Sequence, residues 1–185
     1  LTEEFRKLQD RALPFPVELA RQILEEEFGR PIGELFASFD DTPIAAGSIA
    51  QIHRATLRGG DRVAVKVQRP NLERVMETDL DILRGLATLA EEHIAEIRNY
   101  APRKLVEEFA RSLKGERDFR RETASVKKFR ALHAGRPGLV VPFVREELCS
   151  RRVLTEQFIE GVKVDGAEAV SRLAGTGRGK DLALL

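Results

Sequence analysis

The 185 residues include 42% hydrophobic and 33% charged side chains, a balance that excludes a disordered chain and predicts one domain, or one lobe with extensions. With 31 basic and 30 acidic residues the net charge is +1, which excludes bulk electrostatic attraction to nucleic acid or to an anionic surface. The single cysteine, Cys149, excludes an internal disulfide and a cysteine-based zinc site, and no apolar run reaches the about 18 residues that a membrane-spanning helix needs.

Residues 1–13 place Phe5, Leu8 and Ala12 at helical spacing and predict a short amphipathic helix. Leu13-Pro14-Phe15-Pro16 breaks it and starts another, with Pro16 at the first helical position. Its apolar stripe is Leu19, Ile23 and Leu24, and Gly29 followed by Pro31 ends it. A first strand is expected over 36–41, then a loop of small residues, then a strand over 49–57. Arg58-Gly59-Gly60-Asp61 is a hairpin signal leading into the strand around Val63–Val67. Pro70 opens a long helix to about Ile97, carried by Leu72, Val75, Met76, Leu80, Leu83, Leu86 and Leu89. After the breaker Tyr100-Ala101-Pro102, a second long helix is predicted over Arg103–Ala134, with Leu105, Val106, Phe109, Leu113, Phe119, Val126, Phe129 and Leu132 as its buried stripe. Gly115 inside it costs about 1 kcal/mol against alanine, so a bend or short break is expected there. Strands at Leu139–Val144 and Arg152–Phe158 follow, and Glu160-Gly161 reads as a hinge into a Gly-rich tail. Five mostly antiparallel strands with helices segregated to one side make an α+β arrangement.

The chemistry concentrates in Pro43–His53 and the strand after it. Ala45, Ala46, Gly47 and Ser48 are small enough for backbone N–H groups to approach phosphate oxygens, and Lys66 supplies a fixed positive charge beside them. With period two, Val63, Val65 and Val67 face one way while Ala64 and Lys66 face the other, which leaves room for a flat base on the lysine side. This is the geometry of V-A-I-K in protein kinases. The element order is that of a kinase-like small lobe with an N-terminal helical extension and a two-helix insertion. The competing reading is an ordinary edge-strand lysine above a tight turn, in which Ser48 merely caps the turn. Flanking valines oppose it, because a lysine on a buried strand needs a counter-charge. Gln51 and His53 share a strand face, where a histidine is more often packed than functional.

A lysine in a phosphate site is normally oriented by a carboxylate. Glu116, Asp118 and Glu122 are the candidates on the second long helix; Asp118 and Glu122 share a face at i, i+4, and Glu116 sits roughly 120° from Glu122. The alternative is a solvated, ion-paired surface, since Arg111, Arg117, Arg120 and Arg121 crowd the same segment. Nucleic-acid binding through this basic run is disfavoured by the acidic interruptions and by the lack of an aromatic platform.

Four ordered motifs, A-A-G-S-I-A-Q-I-H, V-A-V-K-V-Q-R-P, E-R-D-F-R-R-E and V-L-T-E-Q-F-I-E-G, together resemble the UbiB/AarF atypical kinase-like family, linked to ubiquinone biosynthesis. The resemblance runs from about Leu1 to Asp165. It implies ATP binding with Mg²⁺, and ATP hydrolysis or small-molecule phosphoryl chemistry rather than protein phosphorylation. It assigns Ala45, Ala46, Gly47 and Ser48 to the nucleotide loop, Lys66 and Glu122 to the catalytic ion pair, and Glu116 with Asp118 to the E-x-D motif. Ala64 belongs to the base pocket, and Gln157 to Gly161, with Gln157 and Ile159 as contacts, to the hinge that meets adenine. Gly47 stands where an alanine is common, which is expected to loosen the loop. The family's K-x-G-Q motif, catalytic loop and D-F-G motif do not occur in these residues, so the chain reads as a fragment whose metal ligands lie elsewhere and which alone is inactive.

The resulting expectation is three regions: a helical extension over 1–34, the lobe over 35–161 with long helices at about 70–98 and 102–134, and the start of a truncated second lobe over 162–185. The implied setting is a bacterial cytoplasm, with membrane association of the full-length protein and lipid or quinone-biosynthesis proteins as partners. A second class stays open, a non-catalytic kinase-like scaffold that docks a partner protein or lipid.

Overall fold

The computed structural model describes residues 13–161, so the helix expected over 1–13 and the tail 162–185 lie outside the described residues. Helix α1, Val17–Phe28, begins one residue later than predicted, with Pro16 as its cap. Gly29 ends it in the left-handed conformation at φ 65°, where glycine carries no Cβ penalty, and its N–H donates to the Glu25 carbonyl at 2.8 Å. Ala20, Ile23 and Leu24 point inward, whereas Leu19 sits at the exposed edge. A single turn, α2 (Ile32–Leu35), leads into the sheet.

The strands are β1 (Ser38–Phe39), β2 (Ala45–Ala46), β3 (Ala50–Thr56), β4 (Arg62–Gln68) and β5 (Val153–Gln157). All pairings are antiparallel in the order β1-β3-β4-β5, with β2 also on β3. The β3–β4 hairpin is the longest ladder, from Ala50 opposite Gln68 to Thr56 opposite Arg62, and its turn uses Gly60 at φ 89°. Two of the five strands are stubs. The run predicted over 36–41 pairs at only two residues, and half of the expected small-residue loop is strand β2.

Strand alternation divides the core. Val63, Val65, Val67 and Val153 are fully buried on one face and pack against α1, Phe36 and Leu148. Burial of each valine contributes about 1.5–3 kcal/mol. On the same face, the Phe15 N–H donates to Gln51 Oε1 at 3.0 Å, so the Gln51 amide nitrogen faces His53 Nε2 at 2.8 Å. His53 Nδ1 therefore carries the proton and donates to the Asp40 carbonyl at 2.8 Å. Burial pushes the imidazole below its usual range and keeps it neutral. His53 is a packing residue.

The opposite face carries Ala50, Lys66 and Leu154, and Phe119 covers it. Helices thus lie on both faces rather than one. Leu154 explains the difference: a fully buried leucine pointing away from the valine layer demands its own cover.

The first long helix is α3, Leu72–His93, followed by a 3₁₀ segment over Ala95–Tyr100. The second is two helices, α4 (Pro102–Glu116) and α5 (Phe119–Leu132). Gly115 stays helical and the break falls at Arg117-Asp118. Side chains and strands satisfy the freed backbone there: Gln68 Nε2 donates to the Arg117 carbonyl at 2.8 Å, the Phe119 N–H donates to the Arg151 carbonyl at 3.1 Å, and Asp118 caps α5. The strand predicted over 139–144 is reduced to a bridge between Val144 and Glu156, because Pro142 lacks the N–H a ladder needs.

Helices α3 and α4 pack on each other as a hairpin, with Arg84 joining Glu107 at 2.7 Å. Val75, Ile82, Leu86 and Leu89 on α3 stay exposed, as do Leu105, Phe109, Phe129 and Leu132, which the spacing had placed in a buried stripe. Among the described residues no helix is long and apolar enough to cross a membrane.

Candidate functional site

A cavity of about 600 Å³ lies where β2 and the following turn, the lysine face of the sheet, and the α4–α5 junction meet. Ala45, Ala46, Gly47 and Ser48 form one wall, Lys66 the floor, and Glu116, Asp118 and Glu122 the wall opposite. The break after α4 turns the start of α5 across the sheet, so the three carboxylates converge there without lying on one continuous helix.

Lys66 Nζ donates to both Glu122 oxygens, at 2.7 and 3.0 Å. Its ammonium also stands 4.7 Å from the centre of the Phe119 ring. Glu122 holds the lysine because it lies one turn into α5, directly above Phe119, which anchors that helix to the sheet. Asp118 is occupied otherwise: it caps α5 by accepting the Arg120 N–H at 3.1 Å and pairs with the Arg120 guanidinium at 2.6 Å. That pairing, with burial opposing it, holds the Asp118 carboxyl below its usual range. Glu116 has no ion-pair partner among the described residues. Arg117 turns away to Glu73 at 2.7 Å, and Arg151 meets the same carboxylate at 2.8 Å.

The small-residue wall is held from behind. The Gly47 N–H donates to the Ala50 carbonyl at 2.8 Å, and Arg69, which the sequence reading did not single out, donates to the Gly47 carbonyl at 2.8 Å and the Leu13 carbonyl at 2.7 Å. A Cβ placed on Gly47 would meet only the Ala50 carbonyl oxygen at 3.7 Å, an ordinary contact. Alanine therefore fits at this position, and glycine loosens the wall only through its backbone freedom.

Ala64, Gln157 and Ile159 do not line the cavity. Ala64 sits in the ladder between Arg54 and Glu156, Gln157 pairs with Val63, and Ile159 is exposed. The hinge end is pinned instead by Arg62, paired with Glu160 at 2.6 Å, and by Arg54, stacked 4.6 Å over the Phe158 ring. Among the described residues no cluster of three His, Cys, Asp or Glu side chains is placed to hold a metal ion.

Glu156 is the acidic residue that sequence reasoning missed. It lies on the lysine face of β5 opposite Ala64, two residue pairs along the ladder from Lys66, and the only signal was its even spacing from Leu154. Burial, reinforced by the Glu122 charge and opposed by Lys66, pushes its carboxyl above the usual range. A raised carboxyl binds its proton more tightly in the folded state, so stability is lost as pH rises from the ordinary carboxylate range through the raised value. Glu156→Gln is expected to raise the thermal midpoint at pH 7, with the gain vanishing once pH falls below the ordinary carboxylate range; melting curves across pH 4–8 check this.

Residues 7–178 match the ABC1 atypical kinase-like domain. Curated relatives include proteins named probable protein kinase UbiB: one from Marinobacter nauticus is 35% identical over 172 residues, 93% of this chain and 31% of the relative. Another, from Pseudomonas aeruginosa, is 39% identical over 170 residues, 92% of this chain and 32% of the relative. The chain thus spans about a third of the length of these relatives. Among solved structures, Rv3197 from Mycobacterium tuberculosis in complex with erythromycin superposes with a TM-score of 0.71 at 28% identity, over 92% of this chain and 41% of that one. With a mixed α+β lobe, an antiparallel sheet of this order and a family match across nearly all its residues, this chain belongs to the ABC1 atypical kinase-like family.

Proposed function

We propose that this chain is the ATP-binding lobe of an atypical kinase or ATPase of the UbiB type that supports isoprenoid-quinone synthesis. The observation that carries the reading is the bidentate Lys66–Glu122 pair, directed into a cavity walled by Ala45–Ser48. The residues fit a nucleotide. Small side chains leave backbone groups accessible, Lys66 supplies positive charge, and the volume lies within the range typical of small-molecule sites. In that role Lys66 orients the phosphates, Glu122 orients Lys66, and the Ala45–Ser48 wall excludes water from one side of the phosphate chain. Magnesium, when bound, would neutralise charge on the phosphates; Glu116, which lines the cavity and has no ion-pair partner among the described residues, would be a carboxylate free to face it. Thermal shift of the full chain tests the reading. ATP with Mg²⁺ at about 100 times its dissociation constant is expected to stabilise the fold by about 2.7 kcal/mol. An unchanged midpoint at millimolar ATP would refute it.

The scaffold reading keeps one supporting observation, the row Val75, Ile82, Leu86 and Leu89 left exposed on α3. The two roles are compatible, because that row faces away from the α3–α4 contact and plays no part in the cavity.

A further inference from the structure

The α4–α5 junction carries four arginines in close succession with three different fates. Arg117 is committed to Glu73 and Arg120 to Asp118, while Arg111 lies near Glu108 at 3.8 Å on the exposed side of α4. The Arg121 backbone N–H donates to the Asp118 carbonyl at 3.0 Å, but its guanidinium makes no hydrogen bond or ion pair with any described residue, and the residue lines the cavity. The cavity's other cation, Lys66, is already engaged by both oxygens of Glu122. Arg121 is thus the cation of this wall with its donors uncommitted.

Its position has a visible cause. The break at Arg117-Asp118 folds the first turn of α5 back on the last turn of α4, bringing Arg121 against Gly115. A Cβ on Gly115 would lie 3.0 Å from Arg121 Nη1, tighter than ordinary van der Waals contact. The glycine that weakens α4 leaves the space the guanidinium occupies. A planar fork of N–H donors matches pairs of phosphate oxygens better than an ammonium does.

We propose that Arg121, seated against Gly115, is a phosphate-binding residue of the cavity, contacting the phosphate chain of the nucleotide alongside Lys66. This rests on the nucleotide reading of the site. Isothermal titration of the full chain with ATP and with adenosine tests it, because only a phosphate contact separates the two ligands. Arg121→Ala is expected to weaken ATP binding about 10- to 30-fold and to leave adenosine binding within twofold, and Arg121→Lys to recover only part of the loss. Gly115→Ala is expected to raise the thermal midpoint by about 2–4 °C through better helix propensity, yet to weaken ATP about threefold by displacing the guanidinium. General damage to the fold would not produce that opposition. Equal losses for ATP and adenosine in Arg121→Ala, or no loss, would overturn the assignment while leaving the nucleotide reading intact if Lys66→Met still weakens ATP binding about 30- to 100-fold. Should the unmodified chain bind ATP no better than Lys66→Met does, both fall together.

Discussion

Lys66→Met is expected to weaken ATP binding by about 30- to 100-fold while barely moving the stability of the chain. The two effects separate because they draw on different interactions. In the unliganded fold the Lys66–Glu122 pair is partly hydrated, with side chains 29% and 43% exposed, and ion pairs of that kind contribute about 0.2–1 kcal/mol to folding. A charge-assisted hydrogen bond to a phosphate in a walled cavity is worth more, about 1.5–3 kcal/mol, and the substitution also leaves the Glu122 carboxylate facing the phosphates without its counter-ion. Glu122→Gln should therefore cost less than Lys66→Met, and the double variant should bind little worse than Lys66→Met alone, since the residues act as one unit. Titration calorimetry on the three variants, with melting curves as the control, gives the answer. Unchanged ATP affinity in Lys66→Met would remove the lysine from the site.

Phe119→Ala carries the largest expected loss of stability, about 3–5 kcal/mol by urea denaturation. The ring is 1% exposed and fills a small cluster with Ala50 and Leu154, apart from the main core. Few neighbours can collapse into the void, which puts the cost toward the upper end of that range. Because this ring fastens α5 to the sheet, the variant is also expected to loosen Glu122 from Lys66 and weaken nucleotide binding under conditions where it remains folded. Phe119→Leu, closer in volume, should lose about half as much. Phe109→Ala is the internal contrast: at 49% exposure on the outer side of α4, it should change stability by no more than about 0.5 kcal/mol. Losses below about 1 kcal/mol in Phe119→Ala would mean that α5 is anchored by other contacts.

Several features needed nothing beyond local chemistry to be legible. Alternation of Val63, Val65 and Val67 already placed Lys66 on the opposite face, Gly60 marked the hairpin turn, and Gly29 marked the end of α1. Each is decided by a residue's own backbone preference or by the two-residue period of a strand, both of which act within a few positions of the chain. The lysine's need for a carboxylate was legible as well; an idealised helix set Glu116 apart by roughly 120° but left Asp118 and Glu122 on one face, and only the family resemblance pointed to Glu122.

Tertiary contacts decided the rest. Periodicity reported apolar stripes on α3, α4 and α5 without saying what covers them, and Leu105, Phe109, Phe129 and Leu132 are exposed because no element packs there. The choice of Glu122 as the lysine's partner, the diversion of Asp118 to capping, and the freedom of Arg121 all follow from a helix break at Arg117-Asp118. That break is stabilised by Gln68 on β4 and by the Arg151 carbonyl just before β5, groups 49 residues before Arg117 and 32 residues after Phe119. Composition, period and local turn chemistry thus determined the strands and the orientation of the lysine. The identity of its partner depended on hydrogen bonds between distant segments, whose energy exists only once the sheet has brought them together.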